Sequence, residues 1–180
     1  MSFGRHPVYG YACIPPSPFR LKDWERYDVS RFVDPGSYPP EEGWHTGPAD
    51  PSGPGRPTIQ GELAEMVGED DLREAILLVH VPPYGSKLDR AALDGKAVDH
   101  APLDVHVGSI AVRRLIEARQ PLLTLHGHVH ESARLTGSWS DRIGRTVCLS
   151  AAHDGPELAV VRLESARPEA ATRELVNTSS

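Results

Sequence analysis

The sequence predicts an α/β protein, because helical and buried-strand patterns alternate along its second half. The runs AILLVHV (75–81) and PLLTLHG (121–127) are continuously apolar, which is typical of strands covered on both faces of a sheet. The stretches TIQGELAEMVG (58–68) and VGSIAVRRLIEARQ (107–120) carry apolar residues at helical spacing. We therefore expect a mixed or parallel sheet with helices packed outside it.

The segments around this alternation are predicted from their composition. The apolar run Val8–Ile14 is expected to form a strand, and the mixed charges at 23–28 a solvated face. Residues 35–57 are rich in proline and glycine, which excludes a helix or a central strand and predicts a loop.

The remaining elements are two strands, a helix start and a tail. RTVCLSA (145–151) and ELAVVRLES (157–165) are expected to be further strands. Ser109 is a plausible N-cap for the second helix. The polar segment 166–180 is expected to be a frayed tail.

Composition limits the class of protein. The chain has 180 residues, 39% of them apolar, which suits one domain. The net charge of −6 and the lack of a Lys/Arg stripe give no sign of nucleic-acid binding. Cys13 and Cys148 lie in apolar runs and are expected to be buried thiols, which fits a reducing compartment. Without a signal-peptide pattern or a membrane-spanning run, we expect a cytoplasmic protein.

Histidines follow both apolar strands. His80 ends the first, and His128 and His130 follow the second in GHVH, where alternate residues of an extended segment would face the same way. Because ligands bind at the carboxyl ends of strands in open α/β sheets, the three imidazoles could converge on zinc, iron or manganese. The alternative is a set of solvated surface histidines. His126 is expected to be a strand-end residue that faces away from His128.

Polar residues also follow His80, in PPYGSKLDR. Tyr84, Lys87 and Asp89 lie on this loop and are candidate substrate-contacting residues at the rim of a site. The alternative interpretation is an ordinary proline–glycine turn.

These motifs, in this order, resemble the C-terminal half of the calcineurin-like metallophosphoesterases. The resemblance covers LLVHVPPYGSKLDRA (77–91) and HVGSIAVRRLIEARQPLLTLHGHVHES (106–132), while PPSPFRLKDWERYD (15–28) resembles the middle segment of bacterial and archaeal members. The resemblance implies part of a β-sandwich flanked by helices, in an αββα architecture. Residues 1–34 would be its middle segment, 35–57 a loop, 58–165 its C-terminal half and 166–180 a tail.

The resemblance also implies an activity, hydrolysis of phosphomonoesters or phosphodiesters by metal-activated water. His80 and His128 would bind one metal ion and His130 another, with manganese, zinc, iron or nickel as candidates and two ions if a partner half completes the site. The family's Asp-x-His, Gly-Asp and Gly-Asn-His motifs do not precede the resembling region. The catalytic histidine is therefore not assigned in this chain, and the chain alone is expected to be an incomplete enzyme.

Two alternatives stay open. One is a non-catalytic metal-binding or interaction subunit of a split phosphoesterase. The other is a hydrolase with one metal ion held by His80, His128 and His130. Apolar strands need cover on both faces, so the expected partners are an N-terminal-half polypeptide or a second copy of the chain, besides a phosphate-ester substrate. The sequence gives no indication of a membrane partner.

Overall fold

The computed structural model describes residues 2–47 and 58–177. Its strands are β1 (Ser2–Phe3), β2 (His6–Tyr11), β3 (Ile76–Val79), β4 (Ala97–Val98), β5 (Ala101–Pro102), β6 (Leu123–His126), β7 (Ser140–Ile143), β8 (Thr146–Ser150), β9 (Leu158–Arg162) and β10 (Thr172–Val176). Its helices are α1 (Ile59–Val67), α2 (Ile110–Arg119) and α3 (Ser132–Thr136), with single 3₁₀ turns at Pro40–Glu42, Leu72–Glu74 and Pro168–Ala170.

A six-stranded mixed sheet in the order β1-β2-β3-β6-β8-β7 forms the centre of the fold. Strands β2, β3, β6 and β8 are parallel, and β1 and β7 pair antiparallel at the two edges. Strands β9 and β10 form a separate antiparallel pair, as do β4 and β5. The predicted α/β class is therefore confirmed at the level of a mixed sheet with few helices.

The two long helices begin and end where their sequences predict. Thr58 caps α1 by accepting from the backbone of Gly61, and Gly68 follows its last residue. Ser109 caps α2 by accepting from the Val112 amide, which confirms the predicted N-cap. The start of α2 is also tied to the loop that follows β3, because the Ser109 amide donates to the Pro82 carbonyl at 2.9 Å.

The two faces of the sheet are covered unequally. Helices α1 and α2 pack against one face around Leu77 and Val79, which are almost fully buried. On the other face, residues of the β9 region pack on the cluster that contains Ile76. Leu78 nevertheless remains 43% exposed, although it lies on a central strand, and its β2 partner Gly10 adds no side chain there. An apolar patch is therefore open at this end of the second face.

The charged run at 23–28 differs from the predicted solvated face. Glu25 is buried and pairs with the fully buried Lys22, Nζ to Oε2, at 2.5 Å. Ser17 completes the cluster, because its amide and hydroxyl donate to Glu25 and its carbonyl accepts from Lys22. A buried ion pair persists only when its remaining polar atoms are satisfied in this way.

The tail also differs from its prediction. Residues Thr172–Val176 form β10, which pairs along its whole length with β9. The prediction of a frayed tail was wrong over these residues, because backbone pairing in a hairpin is satisfied whatever the polarity of the side chains. Residues 178–180 lie outside the described part.

The proline- and glycine-rich segment is described only as far as residue 47. Residues 35–47 contain a 3₁₀ turn, and Trp44 pairs with Leu21 through an isolated bridge. Residues 48–57, the rest of the predicted loop, lie outside the described part. Cys148 is buried, Cys13 is half-buried, and both are free thiols. No helix among the described residues has the length and apolar composition needed to cross a membrane.

Candidate functional site

His80 and His128 lie side by side at the carboxyl ends of two adjacent parallel strands. Strand β3 pairs with β6 from Ile76 opposite Leu123 onwards, so the residues that follow the two strands emerge together. The ring centroids of His80 and His128 are 5.3 Å apart, at an interplanar angle of 64°. The structure thus brings together two of the three histidines that the sequence singled out.

Gly127 allows this approach. Its amide donates to the His80 carbonyl at 3.0 Å. A Cβ at position 127 would lie 3.3 Å from His80 Nδ1, which is tighter than an ordinary contact. The absence of a side chain at position 127 therefore lets the backbone approach His80 closely.

The backbone of His128 is left-handed, with φ of +67°. Such a φ is uncommon for residues other than glycine, and it costs free energy unless the surroundings hold it in place. It also breaks the extended geometry assumed for GHVH, so His128 and His130 do not follow strand parity. Val129 between them is buried, as expected.

His130 is exposed at the turn before α3 and is the least constrained of the three. It lies near enough to lower the pKa of both His80 and His128. The described residues nevertheless contain no group of three histidine, cysteine or acidic side chains placed to share one metal ion. The structure therefore brings two of the candidate ligands together, and residues 2–47 and 58–177 supply no third group in position.

Partial desolvation favours the neutral form of both imidazoles. Desolvation, followed by the charge of His130, lowers the pKa of His80. Desolvation, followed by His80 and His130, lowers the pKa of His128 to about 4, against a smaller opposite effect of Glu131. A neutral ring offers a nitrogen lone pair, which a metal or a proton donor requires.

His126 has a different role. It is fully buried, and its Nδ1 lies 2.9 Å from the Val79 carbonyl and 3.1 Å from the Val81 carbonyl. Because carbonyls only accept, Nδ1 carries the proton and Nε2 accepts from the Thr124 hydroxyl at 2.8 Å. Burial lowers its pKa to about 4. The imidazole thus joins the end of β6 to the end of β3 and the residues that follow it.

Asp89, one of the three loop candidates, is fully buried and organises the loop after β3. Its carboxylate accepts from the amides of Gly85, Ser86 and Gly108. It also accepts from His106 Nδ1 at 2.8 Å. Every one of these contacts is internal, so Asp89 positions the loop instead of facing a substrate.

The other two loop candidates, Lys87 and Tyr84, lie in different surroundings. Lys87 is exposed, and its backbone amide donates to Asp141 while its carbonyl accepts from Ser132 and Thr136. Tyr84 donates to Asp104 at 2.7 Å, and this hydrogen bond, with burial, raises the pKa of Tyr84 to about 12. Of the three candidates, only Tyr84 lines the cavity beside His128.

That cavity has a volume of about 410 Å³ and opens between the segment 28–37 and the loop around 103–110. His128 and Tyr84 line it, together with Asp28, Asp34 and His106. Reasoning from the sequence missed the last three. No local pattern in the sequence places Asp34 near a loop more than sixty residues later.

Asp28 occupies the start of α2. Its carboxylate accepts from the Ser109 hydroxyl at 2.6 Å, from the Ile110 amide at 2.6 Å and from the Ala111 amide at 3.2 Å. Burial raises its pKa, and the same hydrogen bonds oppose that shift. The helix end, a common anion-binding position, is thus filled by the protein's own carboxylate.

Comparisons with known proteins give no family. No protein-family model matches the chain, and no curated protein matches it. One solved crystal structure resembles the fold at 22% sequence identity with a TM-score of 0.43. The match covers 66% of this chain and 38% of that one, so the chain spans well under half the length of that structure.

Proposed function

We propose that the chain supplies a histidine pair to a metal-dependent phosphoesterase centre that hydrolyses phosphomonoesters or phosphodiesters. The observation that carries the proposal is the placement of the neutral His80 and His128 rings, 5.3 Å apart, at the ends of adjacent parallel strands. The motif order that resembles metallophosphoesterases includes both of these histidines. Gly127 and the left-handed backbone of His128 are the local features that hold the pair.

The described residues do not fit a complete metal site. Two imidazoles leave a divalent ion with too few ligands and with its charge uncompensated, and no third group stands in position. The proposed centre therefore needs carboxylates from another polypeptide segment. For the same reason, a hydrolase with one ion on His80, His128 and His130 is the least favoured of the three hypotheses.

Metal titration tests the pair. Zinc added to the full chain should bind weakly, and His128→Asn should weaken it about tenfold or more, since one of two ligands is lost. Asparagine tolerates a left-handed backbone, which keeps the substitution local. His100→Asn is the matched control, because His100 is an exposed histidine with φ of +68°. Equal zinc affinity in His128→Asn and the parent chain would contradict the proposal.

A hydrolysis assay tests the need for further ligands. The purified chain should hydrolyse bis(p-nitrophenyl) phosphate at close to the rate of metal in buffer, because nothing in the described part bridges two ions. Rapid turnover by this chain alone, lost in His128→Asn, would show that the pair needs no partner. Open reading frames around Met1 that encode Asp-x-His and Gly-Asn-His motifs would identify the completing segment for co-expression.

A second candidate is a non-catalytic interaction subunit, and the open parts of the sheet favour it. Strand β1 pairs only with Pro7 and His6, so the outer edge of β2 beyond them has no strand partner among the described residues. Leu78 is exposed nearby on the second face. Unpaired edges and exposed apolar patches mark association sites. Light scattering at increasing concentration should then show dimers or larger species, and a strict monomer would argue against this role.

A further inference from the structure

The cavity beside His128 has a distinct chemical character. Its volume of about 410 Å³ falls in the range of pockets that take small organic molecules. Apolar side chains, among them Val29, Phe32, Val98 and Leu103, form much of its wall. No lysine or arginine is among the described residues that line it. The only basic groups there are the histidines His106 and His128.

Three carboxylates complete the lining, and two of them are already engaged. Asp28 accepts three hydrogen bonds at the start of α2. Asp104 accepts from the Tyr84 hydroxyl and from the His106 amide. His106 in turn is held by the buried Asp89. None of these groups needs a ligand to satisfy it.

Asp34 is the third carboxylate that lines the cavity, and it differs from the other two. Within the described residues, no hydrogen-bond donor reaches its carboxylate, and the charges that act on it are those of Asp104 and Asp28. Asp34 is exposed, and partial desolvation followed by these two like charges raises its pKa. A cation in the cavity would offset this repulsion, whereas a second anion would increase it.

We propose that this cavity binds an alkylammonium group, with the cationic nitrogen against Asp34 and the alkyl carbons against the apolar wall. Phe32 and Tyr84, which both line the cavity, offer aromatic surface of the kind that attracts ammonium ions. Because His128 lines the same cavity, the substrate class is a phosphate ester of an amino alcohol, and this last step rests on the proposed phosphoesterase function. Polyanions such as polynucleotides are disfavoured by the same carboxylates.

The test uses the metal-free full chain and two probes of one shape. Choline carries a quaternary ammonium, and 3,3-dimethylbutan-1-ol is its neutral counterpart. Calorimetric titration or saturation-transfer NMR should show choline binding about tenfold tighter than the alcohol, because only choline gains the charge interaction with Asp34. Equal affinity for the two probes, or no binding of choline, overturns the proposal.

Two variants locate the effect. Asp34→Asn should reduce choline affinity to that of the alcohol, while Asp71→Asn should leave it unchanged. Asp71 also loses a charge in this change, but it is exposed and does not line the cavity. Choline binding that survives Asp34→Asn overturns the assignment. Thermal unfolding of both variants checks that the fold is intact, and the two-probe comparison on the parent chain stands without either.

The two proposals fail separately. Choline binding is measured without metal, so it does not depend on the histidine pair. If zinc affinity is insensitive to His128→Asn while choline remains preferred, the phosphoesterase proposal falls and the ammonium pocket stands. If zinc binding depends on His128 but choline is not preferred, the pocket assignment alone is wrong.

Discussion

Two histidines near the end of β6 have different surroundings. His126 is the last residue of the strand, and His128 lies in the turn that follows it. His126 is fully enclosed, and both of its ring nitrogens are hydrogen-bonded within the protein. His128, two residues later, faces a cavity and a second imidazole, and no hydrogen bond to its ring is present among the described residues. Burial lowers the pKa of both to about 4. A depressed histidine pKa therefore does not by itself distinguish a structural imidazole from a ligand; the hydrogen bonds do.

The two imidazoles differ in whether their ring nitrogens are already hydrogen-bonded within the protein. In His126 the protonated nitrogen joins Val79 and Val81 to β6, so this ring closes the gap between neighbouring strands. In His128 the backbone is strained and the nitrogens are free for a ligand. Stability should therefore depend on His126 and metal affinity on His128.

The largest effect is expected for His126→Ala. The change leaves two strand-end carbonyls and the Thr124 hydroxyl without their partner and opens a cavity, which should lower the free energy of unfolding by about 3 to 4 kcal/mol. Urea denaturation should show this, with His128→Asn as the comparison at under about 1 kcal/mol. Equal losses in the free energy of unfolding of the two variants would contradict the different roles assigned to His126 and His128.

Acid should destabilise the protein through the same two residues. Their folded pKa values of about 4 lie below the ordinary 6.5, so the unfolded chain binds more protons between these values. The contribution of these two histidines to the free energy of unfolding is fully present above about pH 6.5 and is lost as the pH falls towards 4. At about pH 5, each histidine should lower the free energy of unfolding by roughly 2 kcal/mol relative to neutral pH. His128→Asn should remove about half of that loss in urea titrations, and an unchanged pH dependence would show that His128 is not buried in solution.

Gly127→Ala should disturb the pair more than the fold. The new Cβ would lie 3.3 Å from His80 Nδ1, and the exposed His80 ring can move by a few tenths of an ångström. The free energy of unfolding should fall by about 1 kcal/mol or less. Proton NMR of the histidine rings should show shifts at His80 and His128 but not at His126. Gly47→Ala, where an added Cβ meets nothing within 4 Å, is the control.

The smallest effect is expected for His130→Ala. The side chain is exposed, so its removal should change the free energy of unfolding by under about 0.5 kcal/mol. The pKa values of His80 and His128 should rise slightly, because His130 lowers both. NMR titration measures this rise. A fall would mean that His130 contacts the pair in some other way.

The sequence predicted the positions where the local pattern and the sheet geometry agree. Apolar runs at 75–81 and 121–127 are strands, and carboxyl ends of parallel strands share an edge, so His80 and His128 were expected to meet. The position of His130 was not predictable from the period of a strand, because the left-handed backbone of His128 ends that period.

The cavity could not be predicted for a different reason. Asp28 reaches a helix start 81 residues away along the chain, and Asp34 lines the same cavity as Asp104. Such placements depend on the path of an irregular segment, which has no periodicity to read. The buried Lys22–Glu25 pair belongs to the same segment and was hidden for the same reason.

If a second copy of the chain covers the exposed Leu78, the stability of this protein should depend on its concentration. A second copy that covers the patch binds only the folded chain, so by mass action it adds free energy that grows with the logarithm of protein concentration. The melting temperature would then rise when the sample is concentrated and fall when it is diluted. Leu78→Ser, which keeps the strand and removes the apolar contact, would make the melting temperature independent of dilution.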